Sequence, residues 1–182
     1  MLFRSTLGAD ISEDGAGETI MAAAREHLGG LDILYNNAGV SGRVKFDEMT
    51  DEVWRRVVEV NLNAGYRLTR AAVPLLKESL AGRIIFTASV MARMTDYGLA
   101  AYAASKAGLG GLARTLALDL GNYGITANTI EPGAIQTGMT RAGFSDPDIA
   151  AIWAKKAALR RDRKSTRLNS SHSSVFRMPS SA

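Results

Sequence analysis

The sequence predicts an α/β fold built on a parallel sheet. Short apolar runs alternate with longer segments of helical character along the 182 residues, which is the pattern of successive strand–helix–strand units. Polar residues follow these runs at Asp10, 36–37, Ser89 and 132–133. Because ligands bind at the carboxyl ends of the strands in such sheets, we expect these positions to contribute to one composite site.

The N-terminal part of the chain is expected to hold a helix followed by a buried strand. Residues 12–29 form the predicted helix, with Ser12 as its N-cap and the Gly-Gly pair at 29–30 as its stop. Residues 31–35 are a short apolar run, which predicts a strand that leads into a loop at 36–39.

Two helices are expected in the next segment. Thr50 is the predicted cap of a helix that covers residues 51 to about 62. Helical character resumes over residues 67–79, where Pro74 is expected to bend or interrupt the helix because proline lacks the backbone N–H.

The remaining elements are a strand, a long helix and a second strand. Residues 83–87 are strand-like, residues 102 to about 120 are helical and rich in alanine and leucine, and residues 124–130 predict a strand. That strand leads to a Glu-Pro-Gly turn at 131–133.

Tyr102, Lys106 and Ser89 are the candidate catalytic residues. Tyr102 and Lys106 are four residues apart, so their side chains project from one face of the predicted helix. Ser89 follows the predicted strand at 83–87. A hydroxyl, a phenol and an ammonium together can move a proton to or from a carbonyl or alcohol oxygen. The structural alternative is a strand-end serine, a packed tyrosine and a solvated lysine.

The composition argues against several classes of protein. The chain has no cysteine, so it holds no disulfide framework and no thiolate metal site. Its histidines, His27 and His172, match no metal-ligand spacing, and we expect no metal. No apolar run reaches the roughly 20 residues that a membrane span requires, and residues 1–10 lack a signal-peptide layout. We therefore expect a soluble protein in the cytoplasm without a membrane partner.

The positive net charge does not indicate a nucleic-acid partner. The formal charge is +4, but six basic residues and a single acidic one lie within residues 160–182, and the rest of the chain is close to neutral. Residues 162–182 are rich in serine and lack a sustained apolar period, so we expect a disordered, non-native tail there.

Five motifs carry a resemblance to a known family. They are Asn-Asn-Ala-Gly at 36–39, Val-Asn-Leu at 60–62, Ser89, Tyr-Ala-Ala-Ser-Lys at 102–106 and Pro-Gly-Ala-Ile-Gln-Thr at 132–137. In this order and spacing the chain resembles the short-chain dehydrogenase/reductases over about residues 8–161. It looks most like the bacterial type that includes 3-oxoacyl-carrier-protein reductases and glucose dehydrogenases.

The resemblance implies an incomplete fold. We expect an α/β, Rossmann-type doubly wound parallel sheet that lacks the first two strands and the last strand, because no segment here matches them or the family's glycine-rich turn. Residues 1–161 are then a partial dinucleotide-binding oxidoreductase domain. With those strands absent, the strand at 31–35 is expected to have an open edge.

The resemblance also implies an enzyme. The expected function is an NAD(P)-dependent oxidoreductase that interconverts a secondary alcohol and a ketone by hydride transfer, with NAD or NADP as cofactor and a small-molecule alcohol or ketone as substrate. Full-length relatives are expected to be homodimers or homotetramers. The alternative is a catalytically inactive fragment that cannot bind cofactor and is at most a helix-mediated interaction module.

Site residues follow from the resemblance position by position. The implied catalytic residues are Asn61, Ser89, Tyr102 and Lys106, with Tyr102 as the acid/base and its pKa lowered by Lys106 and the nicotinamide charge. Simpler readings stay open for Asn61 (a backbone contact at a helix break) and Asp10 (a strand-end cap). The implied cofactor-binding residues are Asp10, Ile11, Asn37, Ala38, Gly39, Tyr102, Lys106, Pro132, Gly133, Ile135 and Thr137. Residues 138–158 correspond to the family's variable substrate-covering segment.

Overall fold

Twelve helices and strands organise the described part of the chain. The computed structural model describes residues 6–156, 163–164 and 174–176. In chain order the elements are α1 (Ala16–Leu28), β1 (Ile33–Asn36), α2 (Asp51–Val58), α3 (Ala64–Lys77), β2 (Arg83–Thr87), α4 (Ala100–Leu120), β3 (Thr126–Ile130), β4 (Ile135–Gln136), α5 (Arg141–Ser145), α6 (Pro147–Lys156), β5 (Arg163–Lys164) and β6 (Ser174–Phe176). A π-helical segment, Glu59–Asn63, joins α2 to α3, and a short 3-10 turn, Val90–Ala92, follows β2.

The main sheet has the strand order β3-β2-β1-β6. β1, β2 and β3 are parallel, with Ile33 opposite Arg83 and Arg83 opposite Thr126 at one end of the register. β6 is antiparallel to β1. The predicted α/β fold with a parallel sheet is therefore confirmed.

Helices cover the apolar side chains of the sheet. α4 packs against β3 and β2, α3 packs against β1 and β2, and α1 packs against α3. Leu34, Ile84 and Phe86 are fully buried between these layers. This packing fixes the carboxyl ends of β1 and β2 relative to the first turns of α4.

The start of α1 differs from the prediction. The helix begins at Ala16, and its N-cap is Gly15, which has a positive φ of 80° and makes no side-chain cap. Ser12 is not a cap because its N–H and its hydroxyl both donate to the carboxylate of Asp10, at 2.9 and 2.6 Å. The side chain that was expected to start the helix is used in a turn before it.

The later helices follow the prediction more closely. Thr50 caps α2, since its hydroxyl accepts a hydrogen bond from the N–H of Val53. Pro74 does not interrupt α3, which continues to Lys77. Proline in the last turn of a helix removes one backbone hydrogen bond close to the helix end, where the cost is small.

No strand forms over residues 6–10, although one was expected before Asp10. A strand has to pair with another strand. The edge of β1 that faces away from β2 is paired with β6, with Leu34 opposite Val175. The expectation that β1 has an open edge is therefore wrong at Ile33, Leu34 and Tyr35.

The expected disordered tail, residues 162–182, lies mostly outside the described residues. At 163–164 and 174–176 the structure has short strands instead, which pair with β4 and β1. Among the described residues, no helix is long and apolar enough to span a membrane.

Candidate active site

Ser89 and Tyr102 meet beyond the carboxyl end of β2. Ser89 lies two residues after the strand and caps the short turn Val90–Ala92. Its Oγ accepts a hydrogen bond of 3.1 Å from the N–H of Met91 in that turn. The Ser89 side chain is near enough to Tyr102, in the first turn of α4, to lower the pKa of the Tyr102 phenol in part. The end of the strand and the start of the helix thus place the two hydroxyls near each other.

Lys106 reaches the same place from one turn further along α4. Its Nζ lies 5.7 Å from the centroid of the Tyr102 ring and donates a hydrogen bond of 2.7 Å to the carbonyl of Thr87. Only 3% of Lys106 is exposed. The structure therefore brings Ser89, Tyr102 and Lys106 together; their catalytic roles stay predictions.

Asn61 links three elements around this group. It lies in the π-helical segment, where its Oδ1 accepts from the N–H of Val40 at 2.8 Å and its Nδ2 donates to the carbonyl of Val40 at 3.0 Å. The same Nδ2 is 3.1 Å from Ser105 Oγ, which in turn donates to the carbonyl of Tyr102. The simpler reading of Asn61, a backbone contact at a helix irregularity, describes what its side chain does.

Gly39 packs closely beside the lysine. A methyl group at this position would lie 3.2 Å from Asn61 Oδ1 and 3.3 Å from Lys106 Nζ. Such contacts are tighter than ordinary van der Waals distances. The absence of a side chain at Gly39 therefore lets its backbone lie close to both polar atoms.

Burial controls the protonation of the two titratable residues. Burial lowers the pKa of Lys106 from 10.5 to about 8. Burial also raises the pKa of Tyr102, and the Ser89 side chain opposes this shift only in part. The expected lowering of the Tyr102 pKa is not found in the chain alone, because desolvation of the phenolate outweighs its stabilisation.

A second hydrogen-bond group lies directly behind Lys106. Thr87 Oγ1 is 2.9 Å from Tyr35 Oη and 2.8 Å from Asn37 Oδ1. Sequence reasoning singled out Asn37 but missed Thr87, Tyr35 and Ser105. No sequence signal distinguishes Thr87 from the rest of its strand, because its part in the site depends on contacts with Tyr35 and Asn37.

The loop that carries the Pro-Gly pair is tied to the serine turn. The carbonyl of Pro132 accepts a hydrogen bond of 3.1 Å from the N–H of Val90, and the carbonyl of Ile130 accepts one of 2.8 Å from the N–H of Ala88. The guanidinium of Arg93 binds the carboxylate of Glu131 through two nitrogens. The two loops therefore form one layer beside Ser89.

The other predicted cofactor positions lie further out. A methyl group at Gly133 would meet no atom within 4 Å. The hydroxyl of Thr140 donates to the carbonyl of Ile135 at 2.6 Å and accepts from the N–H of Thr137 at 2.9 Å, which shapes the turn after β4. These residues are positioned by local bonds rather than by Tyr102 or Lys106.

Asp10, Ile11 and Ala38 lie on the β1 side of the site. The two hydrogen bonds from Ser12, chiefly that from its hydroxyl, lower the pKa of the exposed Asp10 carboxyl. Asp10 thus closes a turn and does not cap a strand. Ile11 and Ala38 line a small cavity together with Asn36, Val60, Asn61, Gly65, Phe86 and Leu109. Residues 6–156 hold no cluster of three or more potential metal ligands among His, Cys, Asp and Glu.

The chain is similar to a large group of characterised sequences. The profile of a family described as short chain dehydrogenase matches residues 5–148. The 3-oxoacyl-(acyl-carrier-protein) reductase FabG of Escherichia coli (strain K12) is 38% identical over 149 residues, which is 82% of this chain and 61% of that protein. The peroxisomal hydratase-dehydrogenase-epimerase of Saccharomyces cerevisiae is 44% identical over 116 residues, 64% of this chain and 13% of that protein.

Two solved structures are also similar to the chain. The crystal structure of gox2181 has a TM-score of 0.80 and 30% identity, and covers 85% of this chain and 62% of its own. A putative gluconate dehydrogenase from Agrobacterium tumefaciens has a TM-score of 0.81 and 28% identity, with 86% and 62% covered. The chain spans about three fifths of the length of the bacterial reductase and of both solved structures.

Proposed function

Because the chain belongs to the short-chain dehydrogenase family, we propose that it carries the catalytic groups of an NAD(P)-dependent oxidoreductase that interconverts a secondary alcohol and a ketone. The observation that supports this most directly is the buried Lys106 ammonium, which lies 5.7 Å from the centroid of the Tyr102 ring and is bound to the end of the strand that leads to Ser89. A proton donor and a hydrogen-bond donor on one oxygen are what carbonyl reduction needs.

In the direction of ketone reduction, Tyr102 is the proposed proton donor. Its pKa is raised by burial, so at neutral pH the side chain is a phenol with a proton to give. Ser89 hydrogen-bonds the substrate oxygen and stabilises the negative charge that develops there. In alcohol oxidation the same phenol oxygen, as phenolate, would accept the proton.

Lys106 is the proposed electrostatic partner. With a pKa of about 8 it is mainly an ammonium at neutral pH, and a positive charge near the phenol favours its deprotonated form once the proton has been transferred. Its hydrogen bond to the Thr87 carbonyl fixes the ammonium in the buried site. Asn61 holds the loop at Val40 against α4 and so keeps this side of the site in shape.

The residues present fit the nicotinamide end of a dinucleotide. The backbone of Gly39 lies close to Asn61 Oδ1 and to Lys106 Nζ, and an ammonium in this position could bind a sugar hydroxyl. A bound NAD or NADP would supply the hydride. We propose that Tyr102 and Lys106 bind the ribose next to the nicotinamide. The other proposed contacts are Asp10 and Ile11 at the adenine end, Asn37, Ala38 and Gly39 along the wall, and Pro132, Gly133, Ile135 and Thr137 at the nicotinamide.

The test has two stages. Binding is measured first, by titrating NADH and NADPH fluorescence with the chain. Oxidation of the reduced cofactor is then followed with a 3-oxoacyl thioester and with simple ketones, since the bacterial relative is named as a 3-oxoacyl reductase. Saturable binding with ketone-dependent oxidation supports the proposal. If the chain neither binds the cofactors nor oxidises them, the alternative of an inactive fragment is favoured.

Tyr102→Phe tests the assigned acid directly. The variant removes the transferable proton but keeps the ring, and we expect turnover to fall by about 100-fold or more because general acid catalysis contributes about that much. Tyr66→Phe is the matched control, since Tyr66 is a half-exposed tyrosine on α3. Unchanged turnover in Tyr102→Phe would show that another group transfers the proton.

A further inference from the structure

We propose that Thr87 is a positioning residue for Lys106: the Thr87 side chain holds the end of β2 in place, so that its own carbonyl binds the lysine ammonium. The inference rests on the proposed function, because it concerns a residue to which we assign a part in catalysis. It does not depend on any contact with the cofactor or the substrate.

The side chain of Thr87 acts where the backbone ladder ends. The register between β1 and β2 stops at Asn36 opposite Phe86, whereas the register between β2 and β3 continues to Thr87 opposite Ile130. Thr87 therefore has backbone pairing on one side only. On the β1 side, where Thr87 has no backbone partner in the register, its hydroxyl makes the contacts instead. It lies 2.9 Å from Tyr35 Oη and 2.8 Å from Asn37 Oδ1.

The carbonyl of the same residue is the acceptor for the lysine. Lys106 Nζ donates to it at 2.7 Å, and Lys106 is almost completely buried. A buried ammonium depends on its hydrogen-bond acceptors, since little water is present to replace them. A small displacement of the β2 end would lengthen this bond, so the hydroxyl contacts of Thr87 bear directly on the charge of Lys106.

Among the described residues, the groups placed near the ammonium come from α4, from the loop after β1 and from β2. Tyr102, from α4 itself, is the titratable neighbour, with its ring centroid 5.7 Å from Nζ. On the side of the loop after β1, the backbone of Gly39 lies close to both Nζ and the amide oxygen of Asn61. Thr87 contributes its carbonyl from β2. Of these neighbours only Tyr102 titrates, and the carbonyl of Thr87 is the acceptor that a side-chain substitution in β2 would move.

The pKa of Lys106, read by NMR, tests the proposal. The chain is labelled with 13C-lysine, and the Cε resonance of Lys106 is followed from about pH 6 to pH 10, a range that spans the expected titration. Thr87→Val keeps the shape and the β-branched strand preference but removes the hydroxyl. Thr87→Ser keeps the hydroxyl and is the rescue variant.

We expect Thr87→Val to lower the Lys106 pKa by about 0.5, because a weakened carbonyl hydrogen bond stabilises the ammonium less. Thr87→Ser should titrate like the wild-type chain. Ser79→Ala is the matched control for a general loss of stability: it removes a hydrogen bond to Asp32 at the opposite end of the sheet and should leave the Lys106 pKa unchanged.

Tyr35→Phe provides a second test of the proposal in case Thr87→Val does not fold. It removes one of the two partners of the Thr87 hydroxyl and should lower the Lys106 pKa by a smaller amount. An unchanged Lys106 pKa in the folded Thr87→Val or Tyr35→Phe variant would overturn the proposal, as would an equal drop in Ser79→Ala. This titration needs no cofactor, so its failure is distinct from failure of the proposed enzymatic function.

Discussion

Lys106 places a positive charge inside the protein, and burial makes that charge costly. The lowering of its pKa from 10.5 to about 8 means that the folded chain binds this proton less tightly than the unfolded chain does. Between about pH 8 and pH 10.5 the unfolded state still carries the proton while the folded state has lost it. The contribution of Lys106 to the free energy of unfolding therefore rises with pH between about 8 and 10.5, and it is lowest below about pH 8.

Lys106→Met should stabilise the chain at neutral pH. Removing the buried charge is worth on the order of 3 kcal/mol in the free energy of unfolding, given a pKa that drops to about 8. The gain should shrink as the pH rises from about 8 through 10.5, and it should vanish only above 10.5, where the wild-type lysine is neutral in both states. Urea denaturation at a series of pH values measures this.

The control for that experiment is Lys155→Met on α6, whose side chain is exposed. It should change the free energy of unfolding little at any pH. A destabilised Lys106→Met chain at pH 7 would mean that the ammonium is held by stronger interactions than its carbonyl partner provides.

At the scale of elements, the π-helical segment between α2 and α3 connects the loop after β1 to helix α4. The wider turn at Glu59–Asn63 carries Asn61, whose amide bridges the loop after β1 and helix α4. Segments of this kind often occur at functional sites. The wider turn therefore gives the Asn61 side chain a different direction from the one it would have in a regular α-helix.

Asn61→Ala should therefore destabilise the chain by about 2–3 kcal/mol, because it leaves the part-buried N–H and carbonyl of Val40 without their side-chain partner. Denaturant unfolding provides the measurement. Asn63→Ala, two residues further in the same segment, is the matched control: its amide bonds only to the part-buried Glu59 carboxylate at 2.8 Å. Equal losses for the two variants would mean that the bridging bonds of Asn61 have no special weight.

Much of the element pattern was predictable because it depends on local sequence. The strand at 83–87 and the end of α4 at Leu120 were predicted correctly, since apolar run length and helix composition fix them. The π-helical segment was not, because the residues at 59–63 are compatible with a regular helix and only contacts with Val40 and Ser105 reveal the difference. The partners of Lys106 were missed for the same reason: its acceptor is a backbone carbonyl, which no sequence motif displays.

At the scale of the whole molecule, the edge of the parallel sheet is occupied by the far end of the chain. β6 pairs antiparallel with β1, so Ile33, Leu34 and Tyr35 have backbone neighbours on both sides. Sequence reasoning could not find this pairing, since residues 174–176 are separated from β1 by most of the chain and lie in a serine-rich segment. Pairing over such a distance is decided by which edge is free.

Val175→Pro tests what the pairing contributes. Proline removes the backbone N–H opposite Leu34 and is poorly tolerated within a strand. We expect greater self-association, measured by light scattering at increasing protein concentration, because the edge of β1 becomes available to other molecules. Val175→Thr keeps the N–H and the β-branch and is the control. Identical scattering from the two variants would mean that β6 does not protect the edge.

The bonds between the loops after β2 and β3 have a mechanical consequence. Val90 is bound to Pro132 and Arg93 to Glu131, so these bonds resist separation of the walls that carry the serine and the Pro-Gly pair. A bulky compound that enters from this side would have to break them or pass above them.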